Sequence, residues 1–168
     1  MNYKKLLVLL IFMVSNTMFG QKTLNNYKYI IVPERYDFLK SKNQYQLNSL
    51  TKFLFKKEKF TALSAIDKKP RDLVKNPCLG LRANVISSSG MFATKLQVEL
   101  KDCENKLIFL SKEGKSKEKG YRKGHHEALR SAFESFSDLN YTYSPNISEE
   151  KLGKTGKSLQ KLPHLVQL

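Results

Sequence analysis

Cysteine, histidine and tryptophan are nearly missing from this chain: its 168 residues hold 2 Cys, 3 His and no Trp. A multi-zinc site, an iron–sulfur cluster or a disulfide-dense scaffold cannot be assembled from that set. Gly and Pro, at 8 and 5, are too few for a collagen-like or low-complexity chain. Acidic residues are short as well, 15 against 30 Lys and Arg, for a formal charge of +15. The longest apolar run, residues 6–14, is too short to span a bilayer. With 40% hydrophobic and 27% charged residues, the composition is that of one globular domain.

That apolar run follows Lys4 and Lys5 and ends in Asn16-Thr17-Met18-Phe19-Gly20. A cationic start, a short apolar stretch and a small residue before a cut are the layout of a secretory signal peptide, assigned here to residues 1–20. The product is expected outside the cytoplasm, periplasmic or extracellular, with no membrane span and no Cys at the cut to carry a lipid. It loses two positive charges with Lys4 and Lys5, leaving +13.

Residues 21–143 read as one α+β domain. Tyr27-Lys28-Tyr29-Ile30-Ile31-Val32 is a β-rich run stopped by Pro33, apolar enough for both faces to be covered. Leu47, Leu50 and Leu54 share a helical face, giving a helix over about 43–58 with Ser41 or Asn43 as cap. A short strand follows at 60–65, then one or two helical turns at 70–75. Leu79, Leu81, Ala83 and Val85, and then Phe92, Leu96, Val98 and Leu100, alternate with polar residues across Ser87-Ser88-Ser89-Gly90. That is a hairpin with one dry face. A third strand at 106–111 and a helix over about 119–139 complete the order β-α-β-α-β-β-β-α. The helix carries Tyr121, His125, Ala128, Leu129, Ala132, Phe133, Phe136 and Leu139 as its apolar stripe. The expected fold is a two-layer sandwich, a mostly antiparallel sheet with helices on one face. Residues 144–168 read as a basic, disordered tail.

Cys78 and Cys103 share the wet-face parity of the hairpin strands. A register pairing Val85 with Leu96, Ala83 with Val98 and Leu81 with Leu100 brings the two cysteines opposite one another. A structural disulfide is the expectation; two unrelated thiols out of register are the alternative.

The segment 112–123 carries Lys112, Lys115, Lys117, Lys119, Arg122 and Lys123 against Glu113 and Glu118. Read as a loop, it is a candidate site for polyanions such as envelope glycolipid phosphates, acidic cell-wall polymers or nucleic acid. The competing reading is a solvated loop that keeps the protein soluble. Tyr121 is its one aromatic residue, so stacking on nucleic-acid bases is poorly supported.

His125-His126-Glu127 does not make a metal site: adjacent histidines on a helix point about 100° apart, and the zinc-protease pattern fails at Arg130. Gly153 to Ser158 resembles a phosphate loop, but position 151 is Lys and no strand precedes it. No nucleophile elbow and no spaced carboxylate pair stands out. No catalytic residue and no cofactor is assigned.

The order of elements, with Asp102-Cys103-Glu104-Asn105-Lys106 at a turn where others have Asp-x-x-Gly-Lys, resembles a small domain of bacterial envelope proteins. Those are the outer-membrane activators of penicillin-binding proteins, the curli-secretion lipoproteins and the N-terminal domain of the Tol–Pal β-propeller protein. The resemblance implies a non-catalytic module acting through protein contacts. The leading expectation is an exported accessory protein with an envelope protein as partner, and the alternative a basic protein that binds an acidic envelope polymer.

Overall fold

The computed structural model describes residues 24–145. The signal segment and all but the first two residues of the expected tail lie outside them. Six strands and three α-helices follow in the order β1 (Tyr29–Val32), α1 (Leu47–Lys57), β2 (Thr61–Ser64), α2 (Arg71–Lys75), β3 (Gly80–Ser87), β4 (Thr94–Lys101), β5 (Leu107–Leu110), β6 (Gly114–Ser116) and α3 (Tyr121–Ser137). The sheet order is β2-β1-β3-β4-β5, with β6 also on β4. β1 runs parallel to β2 and β3, and the pairs on β4 are antiparallel. The fold is α+β, a mixed sheet with its two long helices on one face.

Strand alternation puts Ile30 and Val32, Leu81, Ala83 and Val85, and Leu96, Val98 and Leu100 on the face that α1 and α3 cover, all buried. Phe55 of α1 meets Phe60, Phe133 and Phe136 edge-on with ring centroids 4.8–5.7 Å apart. Tyr141 stacks on Phe60 at 3.9 Å, and its hydroxyl donates to the Tyr27 carbonyl. The opposite face of β1 is covered by α2. There Leu73 and Ile31 lie over Gly80, and the Tyr29 hydroxyl donates to Asp72. Both faces of β1 are thus occupied, which is why its sequence is almost continuously apolar.

Four local expectations need correction. The β3–β4 register pairs Ala83 with Leu100 and Val85 with Val98, two residues from the predicted one. Parity is unchanged, so the dry face is the same. Cys78 is not on a strand: it sits in a 3-10 turn, Pro77–Leu79, where the Asn76 side chain accepts its N–H. Phe92 lies in the hairpin loop and not on the dry face, because β4 begins only at Thr94. The basic segment is not all loop, since Gly114–Ser116 form β6 on the edge of β4.

Gly114 explains how α3 reaches that strand. A Cβ there would lie 1.9 Å from the Ala128 carbonyl oxygen and 2.4 Å from the Ala132 nitrogen. Helix backbone rests directly on strand backbone, which only Gly on one side and Ala on the other permit. Between β5 and β6, Ser111 holds the edge together. Its N–H donates to the Val98 carbonyl and its hydroxyl oxygen accepts the Val98 N–H, replacing the ladder where the strand is interrupted.

Candidate functional site

Cys78 and Cys103 are joined by a disulfide that closes 25 residues and ties the start of β3 to the turn after β4. In that turn Asp102 accepts the N–H groups of Glu104 and Lys106, and Asn105 takes a left-handed φ of 65°. A Gly-like backbone is therefore required at 105, and Asn is the side chain that tolerates it best after Gly. Arg82 donates to the Asp102 carbonyl and to Asn105 Oδ1, fastening the turn to β3.

The six cations of the basic segment do not converge on one spot. From Lys112 to Gly120 the chain runs antiparallel beside α3: the Lys112 N–H donates to Ser135 Oγ, and the Ser116 hydroxyl donates to Glu127. Ser135 and Arg122 are about 20 Å apart along a helix rising ~1.5 Å per residue. Lys112 is consequently separated from the others. Lys115 lies on β6 opposite Lys95 in register, whereas Lys117, Lys119, Arg122 and Lys123 surround the start of α3, all exposed. Among the described residues Lys115, Lys117, Lys119 and Lys123 make no ion pair. Arg122 donates to Gln46 Oε1.

That contact belongs to a clasp between the start of α3 and the turn before α1. Asn43, Tyr45 and Gln46 all have left-handed φ (48°, 57° and 60°), a conformation that costs an L-residue other than Gly about 1–2 kcal/mol. The clasp holds it. His126 Nε2 lies 2.6 Å from the Tyr45 carbonyl oxygen, and the Tyr45 ring packs against Tyr121 and His125. A carbonyl only accepts, so Nε2 carries the proton. By the same reasoning His125 Nδ1 donates to the Tyr121 carbonyl at 2.6 Å, and its ring stacks on Phe38. His125 is the packed residue expected. His126 is half-buried and engaged by the Tyr45 carbonyl. Beside the clasp, Glu118, Arg122, Lys123, His126, Glu127 and Arg130 line an open depression of about 520 Å³.

A second hollow, of about 260 Å³, lies past the ends of β1 and β2, whose connections leave toward opposite faces of the sheet. In open α/β sheets such a divergence is where ligands bind. Here its charges are already matched: Lys42 pairs with Glu34 and Lys52 with Asp67, each at 2.6 Å. Asp67 is held below its ordinary range by the Lys52 ammonium and the Ser64 N–H. Among the described residues no group of three His, Cys, Asp or Glu side chains could hold a metal ion, and no helix is long and apolar enough to cross a membrane.

No family model and no curated protein matches the chain. Among solved structures, the PelC dodecamer from Paraburkholderia phytofirmans and a point variant of it are similar at 12% and 14% identity, each with a TM-score of 0.44. They cover 73% of this chain and 94% and 96% of their own. Likeness at that level assigns no activity.

The remaining open surface is the outer face of β3, β4 and β5. Arg82, Asn84 and Ile86, Gln97, Glu99 and Lys101, and Leu107 and Leu110 lie on it by register. Asn84 and Lys101 both donate to Glu99. Burial pushes the Glu99 carboxyl up, but these two bonds outweigh it and keep the group below its usual range. Ile86, Leu107 and Leu110 stay exposed, because no element of the described chain crosses them.

Proposed function

We propose that the chain is an exported, non-enzymatic envelope protein whose partner protein sits on the outer face of β3, β4 and β5. The observation that carries this reading is the exposed Leu107 and Leu110 of β5, with Ile86 across β4, flanking an internally neutralised Glu99–Lys101 pair. Apolar side chains next to a paired Glu99 and Lys101 are the makings of an interface core, because neither charge of that pair has to be desolvated alone. The signal-like residues 1–20 and the Cys78–Cys103 disulfide support export, since disulfides persist in oxidising compartments. The test is a photo-crosslinking side chain at Gln97 in the producing cell. One discrete adduct, lost in Leu107→Lys/Leu110→Lys with melting unchanged, is expected. A folded protein that gives no adduct from this face, or the same adduct with both lysines in place, refutes it.

A second reading, a polyanion binder, is favoured by one specific feature: Lys115, Lys117, Lys119, Arg122 and Lys123 gather at one end of the sheet. It requires affinity for an anionic polymer that falls steeply with salt and with neutralisation of those residues. Salt-independent affinity excludes it.

A further inference from the structure

Four apolar side chains of the described residues are more than 70% exposed: Met91 (92%), Phe92 (87%), Tyr121 (74%) and Ile66 (71%). They come from three separate connections, yet the topology brings them to one end. β1, β2 and β3 run parallel, so the loop leaving β2, with Ile66, and the hairpin leaving β3, with Met91 and Phe92, project past the same edge. β6 ends opposite the start of β4, Ser116 facing Thr94, and Gly124 of α3 lies against the Thr94 side chain. Tyr121 therefore stands at that edge too.

The hairpin tip is built rather than loose. The Gly90 N–H donates to the Ala93 carbonyl, the Ser88 N–H to the Lys95 carbonyl, and Ser89 Oγ accepts the Lys95 N–H. Met91 and Phe92 are held outward by a closed turn, with nothing of the described chain over them. The cations Lys115, Lys117, Lys119, Arg122 and Lys123 share this end with three carboxylates, all engaged: Glu127 accepts the Ser116 hydroxyl. Glu113 pairs with Lys95 and accepts from Ser88, and Glu118 accepts the Gly120 N–H.

We infer that this end is a docking surface for an anionic lipid leaflet, with Met91 and Phe92 entering the acyl boundary, Tyr121 at headgroup level and the cations against lipid phosphates. The pattern fits a bilayer better than a protein. A protein interface needs a contiguous apolar core, whereas these side chains stand apart at loop tips with lysines between them. A leaflet accepts side chains one at a time and rewards aromatic residues and cations at its boundary. A soluble polyanion would use the lysines and leave the tip without a role. The inference goes beyond the outer-face reading and does not depend on it. Its electrostatic half rests on the polyanion reading, and its apolar half does not.

The test is cosedimentation of the oxidised protein with vesicles of phosphatidylcholine alone and with a third phosphatidylglycerol, with inorganic polyphosphate as a soluble anion. Binding to the anionic vesicles is expected, falling at least tenfold in Met91→Ser/Phe92→Ser, because burying each such side chain stabilises by a tenfold factor or more. Lys117→Gln/Lys119→Gln/Lys123→Gln is expected to lose about a hundredfold, each cation near a leaflet being worth about fivefold. Polyphosphate affinity should be untouched by the tip substitutions. All five positions are exposed, so these variants fold. A Phe92→Trp variant should show blue-shifted emission on anionic vesicles. Vesicle binding that survives the tip substitutions, or an emission that does not move, overturns lipid docking. Polyphosphate binding without vesicle binding overturns it while sparing the polyanion reading, and binding to neither ends both.

Discussion

Gly114 is the position at which the smallest chemical change tests the most structure. Gly114→Ala adds one methyl group 1.9 Å from the Ala128 carbonyl oxygen and 2.4 Å from the Ala132 nitrogen. Carbon does not approach such atoms closer than about 3 Å, so α3 and β6 must part by more than an ångström. Both obstructing atoms are backbone, and no rotamer change relieves the clash. Overpacking with side-chain relief costs about 1–3 kcal/mol, so about 3 kcal/mol is a floor here. For a domain of about 120 residues each kcal/mol moves the melting point by roughly 4 °C. The expected loss is therefore about 12 °C or more by circular dichroism, with a lower urea midpoint and an unchanged slope. Gly90→Ala is the control: nothing lies within 4 Å of its Cβ, and its φ is not positive. It should be neutral or stabilise by ~0.4–1 kcal/mol through the unfolded chain. If Gly114→Ala melts within about 2 °C of the parent, α3 is not seated on β6 as described and the position of the basic segment is wrong with it.

Opening the disulfide in Cys78→Ser/Cys103→Ser releases a 25-residue closure. It should cost about 3.5 kcal/mol by loop entropy, or roughly 14 °C, by the same melting assay. Asn105→Ala and Asn105→Gly both lose the bond from Arg82, so in urea titration Asn105→Ala should be the less stable of the two by about 1 kcal/mol, because φ at that position is 65°. Hydrogen bonds from Lys52, Lys28 and Lys95 depress Asp67, Asp72 and Glu113, and those from Lys101 and Asn84 overcome burial at Glu99. Depressed carboxylates contribute stability that is present above their unfolded pKa and lost as they protonate. Melting temperature against pH should accordingly be level near neutrality and fall below about pH 4.

Parity along β3 and β4 was legible in the alternation of Leu81, Ala83 and Val85 with Arg82 and Asn84, because burial of one face dictates it. Register was not legible. Cys78 turns out of line in a 3-10 turn, so aligning the two cysteines as strand neighbours shifts the pairing by two residues, a shift that preserves parity and hides itself. β6 left no trace in Gly114-Lys115-Ser116, since a strand that short is imposed by the free edge of β4 and by the helix resting on Gly114. The cations of the candidate site were evident, but not their distribution, which follows from the antiparallel run beside α3. Periodicity assigned Phe92 and Tyr121 to buried faces. Phe92 lies before β4 opens, and Tyr121 is the first residue of α3, where the sheet no longer backs the stripe.

The two proposed surfaces lie at right angles, and that geometry has a consequence of its own. The outer face runs along the strands, whereas Met91 and Phe92 cap their ends. A molecule held to a leaflet by its hairpin tip would stand with its strands away from the lipid and its outer face turned sideways, free to receive a partner in the same envelope. Confinement to one surface raises effective concentration without any new contact. Met91→Ser/Phe92→Ser leaves Gln97, Leu107 and Leu110 untouched, so the affinity of the isolated protein for its partner should not change. In the cell, by contrast, the Gln97 adduct should weaken, because the tethered encounter is gone. Equal adduct yields with and without the tip substitutions would mean that lipid attachment and partner binding are separate properties of the fold.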